Sequence, residues 1–234
     1  MATTPPPSLA EALVRPDVAV IAEIKRRSPS KGVLDDTLDA GQVASAFAAG
    51  GAAAMSVLTE PTAFGGALAD LEVASRRVRI PLIRKDFVVD ASQVFEAAAA
   101  GASAILLIAR ALGPAGLGPL VETAGTAGIE TLIEVRSADE LQWAVDAGAD
   151  VIGVNTRNLE TLEVDAAVAL DLLPRVPRGT PAVFESGIRT RIDVDHAALA
   201  GADAVLVGSS LSMQGSTSDA VRALTGVPKR SSVR

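Results

Sequence analysis

An acid and a base lie two residues apart near the end of an apolar stretch, where a strand would carry both on one face. Residues 18–24 are otherwise small or β-branched and apolar, which is typical of a buried strand, and Glu23 and Lys25 interrupt that pattern. Residues two apart in a strand point to the same side, and charges are costly to bury without a partner. Proline and glycine within residues 28–32 then stop the strand. The pair is either a surface ion pair where a strand meets solvent or part of a reaction site.

Other apolar stretches end in the same way, with groups that can move protons or bind anions. Lys85, Glu134 and Glu185 each close a predicted strand, and Asn155, with Arg157 just beyond it, closes another. Because every second residue of a strand points to the same face, each polar side chain at a strand end shares its face with apolar residues earlier in that strand. The polar groups would therefore stand above an apolar floor. Six of the eight predicted strands end in polar groups, which is more than solubility requires.

The elements that would position these groups alternate between short apolar strands and longer helices. Glycine ends most of the helices, and Ala-Gly followed by Ala or Gly recurs before four strands. The predicted strands cover residues 18–25, 53–59, 80–85, 104–109, 130–135, 151–155, 181–185 and 204–208. The predicted helices cover residues 8–14, 40–49, 68–77, 91–100, 115–127, 137–147, 166–173, 191–200 and 218–224.

Eight strand-then-helix units in 234 residues predict an α/β fold, a single (β/α)8 TIM barrel with a short N-terminal helical extension. We expect one domain over residues 1–234, with residues 1–17 as the extension and residues 226–234 as a frayed tail. We also expect the extension helix to dock loosely on the barrel. The reaction site of such a barrel lies at the carboxyl ends of its strands, where the polar groups above are gathered.

Two turns at this end of the predicted barrel are small and rich in hydrogen-bond donors. Ser186-Gly187 follows the seventh strand and Gly208-Ser209 the eighth, where these barrels commonly hold a phosphate on backbone N–H groups. The alternative is that both are only tight turns between strand and helix. Neither matches a nucleotide-binding glycine fingerprint, so a nucleotide is not implied.

Composition narrows the chemistry and the partners. The chain has no cysteine, no tyrosine and a single histidine, His196, in a stretch predicted to be a solvated helix. Histidine triads and His/Cys metal clusters are therefore excluded, and we expect neither a metal nor a cofactor. A formal charge of −7 argues against nucleic acid or an anionic membrane as partner. No apolar run approaches the roughly 20 residues that span a bilayer, residues 1–7 lack signal-peptide features, and we expect a cytoplasmic protein.

Seven strand ends carry motifs that are weak singly but specific together and in order. They are Glu23-Ile-Lys-Arg-Arg-Ser-Pro-Ser-Lys-Gly, Leu58-Thr-Glu-Pro with Phe64-Gly-Gly, Arg84-Lys-Asp-Phe, Leu132-Ile-Glu-Val, Gly153-Val-Asn-Thr-Arg-Asn-Leu, Glu185-Ser-Gly-Ile and Val207-Gly-Ser-Ser-Leu. From about Ala19 to Leu211 the chain resembles the indole-3-glycerol phosphate synthase family. Members close an indole ring on 1-(2-carboxyphenylamino)-1-deoxyribulose 5-phosphate, with loss of carbon dioxide and water, in tryptophan biosynthesis.

The resemblance implies a carboxy-lyase and assigns a role to each charged group. Lys85 would be the general acid for ring closure, and Glu134 the acid/base group for the loss of water. Because they lie on the third and fifth strands, we expect both to reach one bound molecule without touching each other. Lys25, held by Glu23, would bind the anionic end of the substrate, and Glu185 would order the lysines.

The remaining site residues that the resemblance implies bind the substrate. Asn155 and Arg157 would position the anilino-carboxylate side. The phosphate would be held by Ser186, Gly187, Gly208 and Ser209. The apolar wall for the ring would be made by Phe64, Phe87 and Leu106, for which ordinary core packing is the alternative. Ser28 and Pro29 would lie on a mobile first loop.

Two departures from the family are visible. The family usually has a longer helical extension before its first strand, whereas about 17 residues precede Val18 here. This difference bears on closure over the substrate and on stability more than on the chemistry. Arg136 stands where many relatives have histidine, and we expect no consequence.

Two other functions remain open on the sequence. Another phosphosugar barrel, such as phosphoribosylanthranilate isomerase, would rely on a cysteine and aspartate pair, and this chain has no cysteine. An inactive barrel kept as a partner or scaffold subunit is opposed by the intact set of Lys25, Lys85 and Glu134. We expect a small-molecule phosphosugar as substrate and a monomer or weak homodimer.

Overall fold

The structure is a computed structural model and describes residues 5–158 and 160–230; the outermost parts of the predicted extension and tail, residues 1–4 and 231–234, lie outside it. Within the described residues, eight parallel strands close into a barrel, in which each strand pairs with its neighbours in chain order and the last strand pairs with the first. The strands are β1 (Ala19–Ile24), β4 (Ala54–Leu58), β5 (Leu82–Lys85), β6 (Ala104–Ile108), β7 (Glu130–Val135), β8 (Val151–Asn155), β9 (Ala182–Glu185) and β10 (Ala204–Val207). The predicted barrel is confirmed.

Helices follow the strands and surround the barrel. They are α1 (Leu9–Leu13), α2 (Ala40–Ala49), α3 (Pro61–Phe64), α4 (Leu68–Arg77), α5 (Ala91–Ala99), α6 (Ala109–Ala127), α7 (Ala138–Ala147), α8 (Ala166–Leu172) with a 3₁₀ turn at Leu173–Arg175, α9 (Arg191–Leu199), α10 (Ser209–Met213) and α11 (Ser218–Arg222). Aspartate, serine and threonine side chains cap several of them, for example Asp39 on α2 and Ser137 on α7. In the described part of the chain, no helix is both long and apolar enough to cross a membrane.

Four local features were not predicted, and each is too short for a periodic pattern. A hairpin of β2 (Arg27–Ser28) and β3 (Gly32–Val33) fills the first loop. The Glu60 carboxylate accepts three backbone N–H groups at the start of α3, which stabilises a four-residue helix that begins at Pro61. Helix α6 starts early, at Ala109, and breaks at Gly113, while α10 follows β10 directly.

Alternate residues of the barrel strands point inward and form layers. The inner apolar cluster contains, among others, Ala19, Ile21, Ile83, Leu106, Leu132 and Val183. Two residues further along each of four strands is a charged side chain on the same face. These side chains are Glu23 after Ile21, Lys85 after Ile83, Glu134 after Leu132 and Glu185 after Val183. The apolar layers are therefore the floor on which the charged groups at the carboxyl ends rest.

The expectation that the extension helix docks loosely is wrong. Leu9 and Leu13 are fully buried in the inner cluster of the barrel. The Glu130 carboxylate, at the start of β7, accepts the backbone N–H of Leu9 at 2.6 Å and the hydroxyl of Ser8 at 2.5 Å. Helix α1 therefore plugs the amino-terminal end of the barrel, because its two leucines cover an apolar interior that the strands leave open.

The described part of the expected frayed tail, residues 226–230, is also packed. The Val227 side chain is buried, and its carbonyl accepts the N–H of Val18 at 2.7 Å. Lys229 Nζ donates to the carbonyl of Leu13 at 2.7 Å and pairs with Asp203 at 3.1 Å. Basic composition suggested a solvated end, whereas these contacts hold the segment against the extension.

Candidate active site

Lys85 stands at the end of β5 with its ammonium between the carboxyl groups of two glutamates. Its Nζ lies 3.5 Å from Glu134 Oε2 and 3.4 Å from Glu185 Oε2. The expectation that Lys85 and Glu134 do not touch is therefore wrong: inward side chains of β5, β7 and β9 converge over the barrel axis. A lysine held in this way is placed to give a proton to a group bound above it.

The charges around Lys85 keep its ammonium protonated. Burial alone would lower the pKa of Lys85, but the carboxylates of Glu185, Glu134 and Glu23 outweigh burial and raise the pKa above its ordinary value. A full positive charge at this point can stabilise negative charge that develops on a bound oxygen.

Glu185 is the most enclosed of these carboxyl groups, with 1% of its surface exposed. Burial raises its pKa to about 8, with Glu134 adding to the rise and Lys85 opposing it. Its Oε1 has no hydrogen-bond partner in the described structure and lies against the Cα of Gly153, where any Cβ would overlap it. Glu185 thus reaches Lys85 only because β8 carries a glycine beside it. The 3.4 Å contact between Glu185 Oε2 and Lys85 Nζ supports an ordering role toward Lys85, and among the described residues Glu185 forms no such contact with Lys25.

Glu23 and Lys25 form a second ion pair on the neighbouring side of the barrel. Lys25 Nζ lies 2.6 Å from Glu23 Oε1, so the pairing predicted from their spacing is confirmed. Burial would raise the pKa of Glu23, but Lys25 and Lys85 outweigh it and hold that pKa below its ordinary value. The pair packs on Gly208, whose Cβ, if present, would overlap Glu23 Oε1 and lie 2.8 Å from Lys25 Nζ.

The predicted carboxylate and phosphate residues meet at the ends of β8 and β9. Asn155 Oδ1 accepts the backbone N–H of Arg157 and the hydroxyl of Ser186, both at 2.9 Å. Arg157 Nη1 donates to the carbonyl of Leu162 at 2.7 Å, which holds the guanidinium in this corner. Asn155 therefore orders a group on each side of it.

The two small turns have the backbone geometry of donor-rich loops. Ser186 and Gly187 both adopt positive φ, 71° and 85°. Ser209 opens α10, and the first N–H groups of a helix have no partners within it. Gly208, just before Ser209, is in contact with the Glu23–Lys25 pair. Lys25 therefore lies beside the Gly208-Ser209 turn.

The predicted apolar wall is divided between the mouth and the floor of the barrel. The rings of Phe64 and Phe87 lie 6.4 Å apart at a tilt of 48°, and Phe87 is half exposed. Leu106 is buried in the inner cluster. In the first loop, Ser28 is buried with its hydroxyl 3.1 Å from that of Ser30, whereas Pro29 is exposed at the tip of the hairpin.

Two residues near the site were missed. Ile108 lies on the same face as Leu106, one layer higher, and lines a cavity beside Glu134; the period of two could have found it. Arg84 lies on the outer face of β5, where it is buried and bonds the hydroxyl of Thr59 at 3.2 Å and Asp86 at 3.1 Å. No sequence signal reveals that network, which braces the strand end carrying Lys85.

Metal ligands are not gathered at this site. Over the residues that the structure describes, no three His, Cys, Asp or Glu side chains are grouped so that they could hold a metal ion.

A closed (β/α)8 barrel with paired lysines and carboxylates at the carboxyl ends of its strands defines a TIM-barrel enzyme with an acid–base site. Residues 2–224 match the family model described as indole-3-glycerol phosphate synthase. The chain belongs to the indole-3-glycerol phosphate synthase family.

Relatives of known name agree with this family. An indole-3-glycerol phosphate synthase of Beutenbergia cavernae is 48% identical over 228 residues, which cover 97% of this chain and 84% of that protein. Indole-3-glycerol phosphate synthase 1 of Streptomyces coelicolor is 51% identical over 194 residues, 83% of this chain and 72% of that protein.

Solved structures of distant sequence share the fold. The N-acetylmannosamine-6-phosphate 2-epimerase of Clostridium perfringens has a TM-score of 0.69 at 17% identity, covering 92% of this chain and 95% of that one. The tryptophan synthase α2β2 complex of Pyrococcus furiosus has a TM-score of 0.62 at 19% identity, covering 89% of this chain and 95% of the matched one. At these identities the likeness concerns the barrel alone.

Proposed function

We propose that the chain is a carboxy-lyase of tryptophan biosynthesis that closes the indole ring of 1-(2-carboxyphenylamino)-1-deoxyribulose 5-phosphate, releasing carbon dioxide and water. The observation that carries the proposal is the Lys85 ammonium between Glu134 and Glu185, at 3.5 and 3.4 Å, at the mouth of the barrel. The family of the chain and the names of its relatives support this substrate.

Ring closure is the step assigned to Lys85. The ring carbon that bears the carboxylate bonds to the ketone carbon, and the carbonyl electron pair moves onto the oxygen. The Lys85 ammonium stabilises this charge and supplies the proton that turns the oxygen into a hydroxyl. The raised pKa of Lys85 means that its ammonium carries the proton before the reaction begins. As the substrate oxygen gains negative charge, the oxygen becomes basic enough to take that proton.

Loss of carbon dioxide restores the aromatic ring. The bond between the ring carbon and the carboxylate breaks, its electron pair returns to the ring, and carbon dioxide leaves. Asn155 and Arg157 hold the carboxylate side until this point, so that the correct ring carbon faces the ketone. Their role is positioning rather than proton transfer.

Loss of water needs a second acid/base group, which we assign to Glu134. The hydroxyl takes a proton and leaves as water with its bonding pair. The CH2 carbon that joins the hydroxyl-bearing carbon to the nitrogen then loses a proton, which forms the indole double bond. Glu134 Oε2 is 3.5 Å from Lys85 Nζ, so protons can pass between the two groups from one step to the next. Glu185 orders Lys85 throughout.

The phosphate end is assigned to the turns after β9 and β10. Ser186 with Gly187 and Gly208 with Ser209 supply backbone donors, and Lys25, held by Glu23 at 2.6 Å, adds a positive charge beside Gly208. The rings of Phe64 and Phe87 at the mouth and Leu106 in the floor supply apolar surface. Ser28 and Pro29 belong to the hairpin of the first loop, which follows β1.

A turnover assay on the purified chain tests the function. Formation of the indole ring is followed by its absorbance and fluorescence, and one carbon dioxide is expected per indole formed. Fluorescence without carbon dioxide release, or turnover of N-(5-phosphoribosyl)anthranilate by isomerisation, would favour another phosphosugar barrel. Binding without turnover would favour a scaffold subunit.

We also propose that the enzyme acts in the cytoplasm as a monomer or weak homodimer, with a phosphosugar as its only partner. Light scattering over a range of protein concentrations measures the oligomeric state. A stable assembly larger than a dimer at the lowest concentration would contradict the proposal.

A further inference from the structure

A small cavity opens beside Glu134, between the carboxyl ends of β6, β7 and β8. Its volume is about 50 Å³, enough for a few water molecules or one carboxylate group. The residues that line it include Ile108, Glu134, Asn155, Arg110, Arg136 and Arg157. Three arginine residues thus line a cavity whose wall also contains the proposed acid/base group.

The three arginines differ in what they already bind. Arg110 pairs with Glu160 at 2.7 Å, and Arg157 donates to the carbonyl of Leu162 at 2.7 Å. In the described chain, the Arg136 side chain makes no hydrogen bond or ion pair, and its Nε is buried without an acceptor. Burying a donor without an acceptor is costly. A ligand whose acceptor atom reaches Arg136 Nε would supply the hydrogen bond that the protein does not.

The acidic groups around the cavity do not satisfy Arg136. Glu134 contacts Lys85, Glu160 contacts Arg110, and Glu140 Oε2 accepts the backbone N–H of Arg136 at 2.6 Å. Each carboxylate therefore already has a partner of its own. What remains on the cavity wall is positive, which suits an anion.

The position of Arg136 selects which anion. Arg136 is two residues beyond Glu134, just after β7 ends, so it continues the face that carries the acid/base group. The phosphate turns follow β9 and β10 instead, on another part of the rim. Asn155 and Arg157, the residues assigned to the anilino-carboxylate side, border the same cavity as Arg136.

We propose that Arg136 binds the aryl carboxylate of the substrate together with Arg157, and is a specificity-determining residue for 2-carboxyaryl substrates. The proposal rests on the function proposed above. A planar guanidinium can hold both oxygens of a carboxylate at once, which histidine at this position cannot do. This proposal differs from the expectation that arginine at position 136 has no consequence, and the binding experiment decides between them.

The test compares two unreactive ligands in which the ketone is reduced to an alcohol, one with the aryl carboxylate and one without it. Calorimetry measures the affinity of both for the wild-type chain, for Arg136→Gln and for Arg136→Lys. We expect Arg136→Gln to weaken the carboxylated ligand by about 10- to 100-fold and the other by less than about twofold. Arg136→Lys should restore part of the loss, because it keeps a charge without the planar fork.

The control is Arg76→Gln, which makes the same change on the outer helix α4, where the Arg76 side chain is 67% exposed. It should leave both affinities unchanged. Equal weakening of both ligands by Arg136→Gln, or unfolding of that variant with no selective loss in Arg136→Lys, would overturn the proposal in favour of a structural role. If the wild-type chain binds neither ligand, the proposed function fails and this inference fails with it. If the wild-type chain prefers the carboxylated ligand and Arg136→Gln keeps the full preference, only this inference fails.

Discussion

Gly153 and Glu185 are in direct contact across two neighbouring strands, and the contact leaves no room for a side chain on Gly153. A Cβ there would overlap Glu185 Oε1, the oxygen that has no hydrogen-bond partner in the described structure. The other oxygen of the same carboxylate meets Lys85 at 3.4 Å. Gly153 is therefore a positioning residue: its missing side chain lets Glu185 stay close to the lysine that we assign as general acid.

Gly153→Ala should move the Glu185 carboxylate away from Lys85 and so disturb the acid. We expect kcat to fall by at least about 10-fold, with a smaller change in KM, because the substrate-binding groups are not displaced. Steady-state kinetics measure both. The matched control is Gly125→Ala on the exposed face of α6, where a Cβ meets nothing within 4 Å; it should keep activity and stabilise slightly, since alanine favours a helix. Equal kcat in the two variants would show that the contact has no role in catalysis.

Lys85→Met should remove turnover while leaving the substrate bound by its phosphate and carboxylate. Loss of a general acid costs about 10²–10⁴-fold, and more when the ammonium also stabilises the oxyanion. Single-turnover kinetics and ligand binding measure the two effects separately. Lys31→Met, a change in the exposed first loop, is the control. If Lys85→Met turns over at a near-normal rate and Lys25→Met is inactive, Lys25 is the general acid.

Glu134→Gln should slow the loss of water, so that an intermediate with its hydroxyl still in place accumulates. Because Glu134 also contacts Lys85 at 3.5 Å, ring closure should slow as well, but less. Rapid-quench sampling followed by mass spectrometry detects the intermediate, which is 18 mass units (roughly one water) heavier than the product. Complete conversion with no such species at any time would assign the dehydration to another group.

The stability of the fold should depend on pH through Glu185. Its pKa is raised from an ordinary 4.5 to about 8, first by burial. In that window the folded protein keeps a proton that the unfolded chain has released, so stability falls as pH rises from about 5 to 8. Glu23, with a lowered pKa, and Lys85, with a raised one, titrate outside this window.

Comparison with Glu185→Gln isolates the contribution of Glu185 to the pH dependence of stability, because glutamine does not titrate. The free energy of unfolding of the wild-type chain, relative to the variant, should decline by on the order of a few kcal/mol between pH 5 and 8. Denaturant titrations at four pH values measure it. Parallel pH profiles for the two proteins would contradict the raised pKa of Glu185.

Leu13→Ala should destabilise the barrel although it lies in the extension. Leu13 is fully buried in the inner cluster, and such truncations cost about 2–5 kcal/mol. Val14→Ala is the control, because Val14 is 74% exposed and its truncation should cost less than about 0.5 kcal/mol. Denaturant unfolding compares the two. A similar small loss in both would restore the idea that α1 docks loosely.

The sequence was enough to predict the barrel, because eight repeats of strand, helix and glycine leave few other arrangements. It also placed Glu23 and Lys25 together, since a period of two decides which side chains share a face. Distances across the barrel were out of reach: the contact of Lys85 with Glu134 depends on how β5 and β7 converge. The docking of α1 depends on Glu130, 120 or more positions away along the chain. The fit of Gly153 to Glu185 is likewise invisible to local patterns.

The plugged end of the barrel has an architectural consequence. Residues just before β1 and just after α11 run side by side there, with Asp17 bridged to Pro228 and Lys229 N–H donating to the carbonyl of Pro16 at 3.0 Å. The two arms therefore lie beside each other on the side away from the reaction mouth. Fusion partners or surface attachments placed on this side would leave the mouth accessible to the substrate.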